Sequence, residues 1–268
     1  MLASNPLLSK LSRNLRLDLL DMIYQSGGGH IGGSLSSLDI LISLYFGNLF
    51  DFKKDHFILS AGHLGCGLYT VLAAKNYFPK NLLSTFSSLD SILQGHVSTD
   101  VPGVEFSSGS LGQGLSFASG LALGDPSHTT VCLTSDGEHQ EGQIWESIMF
   151  AKKYKLGNLI NIVDSNGTQI DGSIPDIMPL GNLAAKYVQF GWTVTVVDGH
   201  NFNQIISALK STIYNRRSNN SFPHCIIAKT VIGKGISFME NDFKYHDIKQ
   251  LDENLYLKAK KELEKKHG

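Results

Sequence analysis

Two short segments carry residue types that could hold a charged small molecule. One runs Thr134-Ser-Asp-Gly-Glu-His-Gln-Glu-Gly142, the other Asp164-Ser-Asn-Gly-Thr168. Each closes an apolar run, TVCLTS (130–135) and NLINIVDSN (158–166), which reads as a buried strand. Asp136 and Asn166 therefore lie at strand C-terminal ends, where parallel sheets bind their ligands, and converge above one sheet. A carboxylate plus a carboxamide is the oxygen set that Mg²⁺ or Ca²⁺ takes when a diphosphate supplies the remaining oxygens. Gly137 lets the backbone approach such a diphosphate, and a helix opening at Glu141 offers its positive N-terminus. Asp-Gly and Asn-Gly are also ordinary turn dipeptides. Their joint position, each after a buried strand, favours the binding role.

The elements that must place these residues alternate along the chain. LLSKLSRNLRLDLLDMIYQ (7–25) spaces Leu8, Leu11, Leu15, Leu19 and Met22 by three and four, an amphipathic helix stopped at the glycines 27–29. Helices are also expected at 35–46, 63–74, 111–124, 141–156, 183–190 and 202–215, and strands at 56–60, 192–199 and 224–231. Strands without polar alternation, separated by helix-length segments, predict a mostly parallel central sheet with helices on both faces, an α/β fold. The tail from Ile248 to Gly268 reads as a charge-patterned helix with Leu251, Leu255 and Leu263 as its apolar line. With no repeat, linker or low-complexity tract, one domain over residues 1–268 is the economical reading. The apolar helix 35–46 and the Gly/Ala-rich helix 111–124 are expected to bury faces against a second chain.

Composition narrows the class. Lys and Arg number 23 against 24 Asp and Glu, a net charge of −1, which argues against a nucleic-acid backbone as partner. No apolar run reaches the ~18 residues of a spanning helix. The first twenty residues place Lys10, Arg13 and Arg16 inside the leucine pattern, unlike a secretory leader. Cys66, Cys132 and Cys225 are odd in number and far apart, as reduced thiols in a cytoplasmic protein would be.

Further motifs extend over nearly the whole chain in one order. They are SGGGHIGGSLSSLDIL (26–41), LSAGHLGCGLY (59–69), QGHVSTDVPGVEFSSGSLGQGLSFASGLALG (94–124), SDGEHQEGQIWES (135–147), DSNGTQIDG (164–172), VDGHNFNQI (197–205) and AKTVIGKGISFMEN with YHD (228–247). With the metal-and-diphosphate pattern, they make the chain resemble the N-terminal, thiamin-diphosphate-binding part of transketolase. Since the sequence ends soon afterwards, it is most similar to the smaller subunit of split, two-chain transketolases. Three motifs depart from the family: Ser135-Asp136-Gly137 stands for GDG, His30-Ile31-Gly32 for HPG, and Tyr245-His246-Asp247 for a longer THDSHG-like segment.

The resemblance implies a role for each matching residue. Asp136, Asn166 and the Thr168 carbonyl would be the ligands of Mg²⁺ (or Ca²⁺). His30, His63, His96 and His246 would line the channel above the cofactor's thiazolium, with His63 and His246 also touching the cofactor. Leu111, Gly112 and Gly114 would form a cofactor-contacting loop, joined by Gly137 and Glu138. Glu141 and Glu146 would face the partner's catalytic glutamate. The pyrimidine-binding and C-terminal domains would lie on a separate polypeptide, completing a heterotetramer that moves a two-carbon ketol unit between sugar phosphates. Another thiamin-diphosphate carboligase, a 2-oxo acid decarboxylating enzyme, or a non-catalytic protein of the same fold are the competing implications. The neighbouring histidines favour sugar chemistry, because a decarboxylase has less use for a ring of sugar-binding imidazoles.

Overall fold

The structure, a computed structural model, describes residues 5–217 and 222–265. Its sheet strands are β1 (His56–Leu59), β2 (Thr130–Ser135), β3 (Leu159–Ser165), β6 (Thr193–Asp198) and β7 (His224–Lys229). Between β3 and β6 a small antiparallel hairpin, β4 (Thr168–Gln169) and β5 (Gly172–Ser173), carries Thr168. Among the described residues the sheet is wholly parallel in the order β1-β2-β3-β7-β6.

Alternate side chains of the central strands enter two different apolar layers, which is why the sequence shows no polar alternation. Val131, Leu133, Ile160, Ile162 and Ile226 pack against one layer. That layer holds α1 (Asn5–Ser26), α2 (Ile31–Phe46), α3 (Gly65–Ala74), α8 (Phe202–Arg217) and α9 (Glu253–Lys265). Cys132, Leu159, Val163, Cys225 and Ile227 point the other way, against α4 (Gln113–Gly124), α5 (Gly142–Lys153) and α7 (Leu183–Gln189). The four-residue α6 (Ile174–Ile177) follows the hairpin. All three cysteines are buried free thiols, as expected.

Several sequence expectations need correction. Helix α2 begins at Ile31, not residue 35, and is buried on every side within this chain from Ile31 to Tyr45. It therefore offers no face to a second chain. Its serines make this tolerable: Ser37 and Ser43 donate to carbonyls four residues back, at 2.9 and 2.8 Å. Residues 63–74 do not form one helix, because a 3₁₀ turn at Gly62–Leu64 precedes α3. The tail helix starts at Glu253; Ile248 instead pairs with Gly29 in an isolated bridge, and residues 266–268 lie outside those described. Strand β6 is half exposed, with Val196 53% accessible, because it forms the sheet's edge.

One buried charge cluster ties the first layer together. Asp39 on α2 accepts from Arg16 of α1 and from His200 Nδ1, both at 2.8 Å. Burial pushes the Asp39 pKa up, but the adjacent Arg16 guanidinium and His200 outweigh it and hold the carboxyl well below its usual range.

Candidate functional site

Four loops, distant in sequence, bring four imidazoles together at the C-terminal edge of the sheet. His30 caps α2, His63 sits in the turn after β1, His96 in the long loop before α4, and His246 just beyond a 3₁₀ turn at Phe243–Tyr245. The His30 ring lies 5.7 Å from His63, 5.4 Å from His96 and 5.9 Å from His246, and His63 lies 5.4 Å from His246. They line a cleft of about 310 Å³ with Leu111, Gly137, Glu141, Asn166 and Thr168.

Burial sets the charge of these rings. It depresses His30, with Asp247 opposing and His96 adding to the effect. His63 is held well below the ordinary value by burial and then by its three imidazole neighbours. Burial, then His30, brings His246 down to about 4 against the pull of Asp247. Neutral rings can each give one proton and accept another, as proton transfer to a bound carbonyl or hydroxyl requires. His246 Nδ1 is buried without a hydrogen-bond partner among the described residues, a polar atom left for a ligand.

The Asp136 and Asn166 segments do meet. Ser135 and Asp164 are register partners in β2 and β3. The next residue, Asp136, accepts from the Gly137 N–H at 2.9 Å and the Gly167 N–H at 2.7 Å. Burial pushes the Asp136 carboxyl up to about 7, although those two N–H donors favour its ionised form. Asn166 Oδ1 accepts from the Thr168 N–H at 2.9 Å, while its Nδ2 donates to Asp164 at 3.1 Å and Ser36 at 3.3 Å. The amide oxygen is thus fixed on the Thr168 side. A buried carboxylate, an oriented amide oxygen and a neighbouring carbonyl make a hard-oxygen donor set that fits a divalent cation.

Not every expected residue reaches the cleft. Glu138 is fully buried and turned inward: Ser60 Oγ, the Gly112 N–H and the Ser135 N–H donate to its carboxylate at 2.6, 2.8 and 2.9 Å. Burial raises its pKa against these donors. It fastens the Gly112 loop to the Asp136 turn from beneath. Gly112 has φ +83°, and a Cβ there would meet Glu141 Cβ at 2.9 Å. Gly114 lies against Ser60, where a Cβ would stand 2.5 Å from the Ser60 Cβ. Both glycines therefore shape the loop from behind, leaving Leu111 at the cleft. Between Gly137 and Gln140 the chain makes a 3₁₀ turn, so α5 opens at Gly142 with Glu141 as its cap. Glu141 lines the cleft; Glu146, one turn along α5, is exposed and does not.

Sequence reasoning passed over Asp164, Ser36 and Thr230. Asp164 is fully buried and accepts from Ser36 Oγ at 2.5 Å and from Thr230 Oγ1, besides Asn166. An aspartate two residues before the candidate ligand was the available signal. His139, also unassigned, is buried behind the Asp136 turn, where burial lowers its pKa to about 4.

Comparison with known proteins agrees with this architecture. Residues 8–264 match the transketolase, thiamine diphosphate binding domain family. One of two apulose-4-phosphate transketolase subunits, that of Phocaeicola vulgatus, is 37% identical, the match covering 88% of this chain and 86% of that protein. A 6-deoxy-6-sulfo-D-fructose transketolase subunit of a Clostridium species is 40% identical, with 92% of both chains covered. The crystal structure of Campylobacter jejuni transketolase superposes with a TM-score of 0.87 at 30% identity, over 98% of this chain and 43% of that one. Human transketolase, 30% identical, is likewise matched over only 40% of its length. By sequence and by fold, this chain belongs to the transketolase family, in its thiamine-diphosphate-binding part.

Proposed function

We propose that the chain is the cofactor-holding subunit of a two-chain transketolase, moving a two-carbon ketol unit from a ketose phosphate to an aldose phosphate. The observation that carries this reading is the convergence of His30, His63, His96 and His246 on one cleft beside the Asp136 and Asn166 turns. When bound, thiamin diphosphate supplies the nucleophilic carbon and the sink for the electron pair. In this reading residues 1–268 act as one diphosphate-binding unit. Asp136, Asn166 and the Thr168 carbonyl hold Mg²⁺ (or Ca²⁺), and Gly137 admits the diphosphate to the backbone.

The histidines then do the polar work. As neutral rings with distinct donor and acceptor nitrogens, they orient sugar hydroxyls and carry protons to and from the reacting oxygen. Buried His63 and His246 lie deepest and suit the cofactor side; the more exposed His30 and His96 suit the sugar. The partner chain would bring the pyrimidine-binding domain, its ring-protonating glutamate and the C-terminal domain. Glu141 and Glu146 would face it. On the outer surface of α4 and α5, Phe117, Leu123, Met149, Phe150 and Tyr154 remain exposed and supply apolar area for this contact. We assign the assembly to a cytoplasmic heterotetramer; among the described residues, no helix is long and apolar enough to cross a membrane.

The test is reconstitution. The purified chain is expected to show no ketol transfer, and addition of the partner chain to restore it with a divalent ion and thiamin diphosphate. In that complex His63→Ala and His96→Ala should each lower kcat by ~10²–10⁴, the worth of a positioned acid–base group. Cofactor affinity should change far less. Decarboxylation of a 2-oxo acid without ketol transfer, or full turnover in both variants, would defeat the assignment.

A further inference from the structure

We propose that His139 is a positioning residue: Tyr187 and Asn161 impose one tautomer on its ring, and the ring fixes the turn that carries Asp136 and Gly137. This rests on the reading of that turn as the cation and diphosphate site.

The hydrogen-bond directions follow from which atoms can only give or only take. His139 Nδ1 stands 2.9 Å from the Ser135 carbonyl, which accepts only, so Nδ1 carries the hydrogen. Asn161 Nδ2 lies 2.7 Å from Tyr187 Oη and can only donate to it. Thr134 Oγ1, 3.2 Å from Asn161 Oδ1, fixes that amide's orientation. Tyr187 therefore gives its own proton to His139 Nε2, at 2.8 Å. The backbone closes the same turn: the His139 N–H donates to the Asp136 carbonyl at 2.9 Å, and Trp145 Nε1 to the His139 carbonyl at 3.0 Å.

The chain of donors reaches from the middle of β3 through α7 to the turn. Asn161, Tyr187 and His139 are all buried. Neither His139 nor Tyr187 lines the cleft, so each can act on a ligand only by way of Asp136 and Gly137. Without the Tyr187 hydroxyl, Nε2 is a buried nitrogen with no donor. The neutral ring then gains by moving its hydrogen to Nε2, which strips the Ser135 carbonyl of its donor and loosens the turn.

The test joins a spectroscopic and a binding readout on the full chain. Imidazole ¹⁵N NMR should show the Nδ1–H pattern for His139, and Tyr187→Phe should move it to Nε2–H. By calorimetry with thiamin diphosphate, the Mg²⁺ concentration for half-maximal binding should rise ~10-fold in Tyr187→Phe and His139→Leu, the usual size of effect for a group that orients a metal ligand. His139→Asn places an amide nitrogen where Nδ1 stood, and should restore binding close to wild type. A merely packed histidine would lower the thermal midpoint in all three variants and leave half-saturation unmoved. That result, or an Nε2–H pattern in the wild type, overturns the proposal. Asp136→Ala separates it from its premise. If that variant loses Mg²⁺-dependent binding while Tyr187→Phe and His139→Leu keep it, only the positioning role fails. If Asp136→Ala binds like wild type, the site reading itself falls.

Discussion

Each imidazole in the cleft makes its neighbours harder to protonate. His63 feels His246, His30 and His96, and His246 feels His30, in addition to burial. A first proton entering the cluster therefore opposes a second, and the rings titrate as a set. In the reconstituted enzyme, log kcat against pH should fall on the acid side with a limiting slope of one. A slope of two or three would show the rings to be independent. The same burial bears on stability. His246 has a folded pKa of about 4 against 6.5 in the open chain, so the folded state holds the neutral ring. Its contribution is complete above pH 6.5 and is lost as pH falls toward 4, amounting to about 2 kcal/mol at pH 5. Denaturant titrations at pH 7 and pH 5 should show His246→Gln losing less stability on acidification than wild type does.

Among the elements, α4 offers a controlled comparison. Gly114 meets the Ser60 Cβ, whereas Gly120, on the same helix, has open space around its missing side chain. Gly120→Ala should stabilise the chain by ~0.5–1 kcal/mol through helix propensity alone. Gly114→Ala should destabilise by ~1–3 kcal/mol through overpacking, and should disturb the neighbouring Leu111–Gly112 loop. Glu138→Gln should also destabilise, by ~1–3 kcal/mol, because its new NH₂ must face a donor where the carboxylate had only acceptors. Thermal midpoints check all three. Why some of this was legible in the sequence and some not follows from the period of each element. Asp136 and Asn166 were legible because each ends an apolar run, and a parallel sheet puts such ends side by side. The inward turn of Glu138 and His139 was not, since a 3₁₀ turn after Gly137 reverses which residues face the cleft. Helix α2 misled because its serines look polar in sequence but bond to their own backbone. The histidine cluster came only from family resemblance; no local pattern links residues 30, 63, 96 and 246.

At the scale of the whole molecule, the strand order separates the parts that hold the site from the part that does not. His63, Asp136 and Asn166 follow β1, β2 and β3, and Thr230 follows β7; β6 supplies none of the four. Strand β6 pairs on one side only, with β7, and much of it is exposed. Loss of β6 from the sheet thus removes one ladder and little buried area, while β2 and β3 cannot part without opening both apolar layers. Deuterium should enter the β6 amides of residues 193–198 at least ~10-fold faster than those of β2 at 130–135, in keeping with local opening well below the global free energy. Equal rates would mean that the sheet opens as one unit. The consequence is a division of labour in time: the molecule can breathe at one margin while its catalytic floor stays shut, so brief excursions of the edge need not release a bound cofactor.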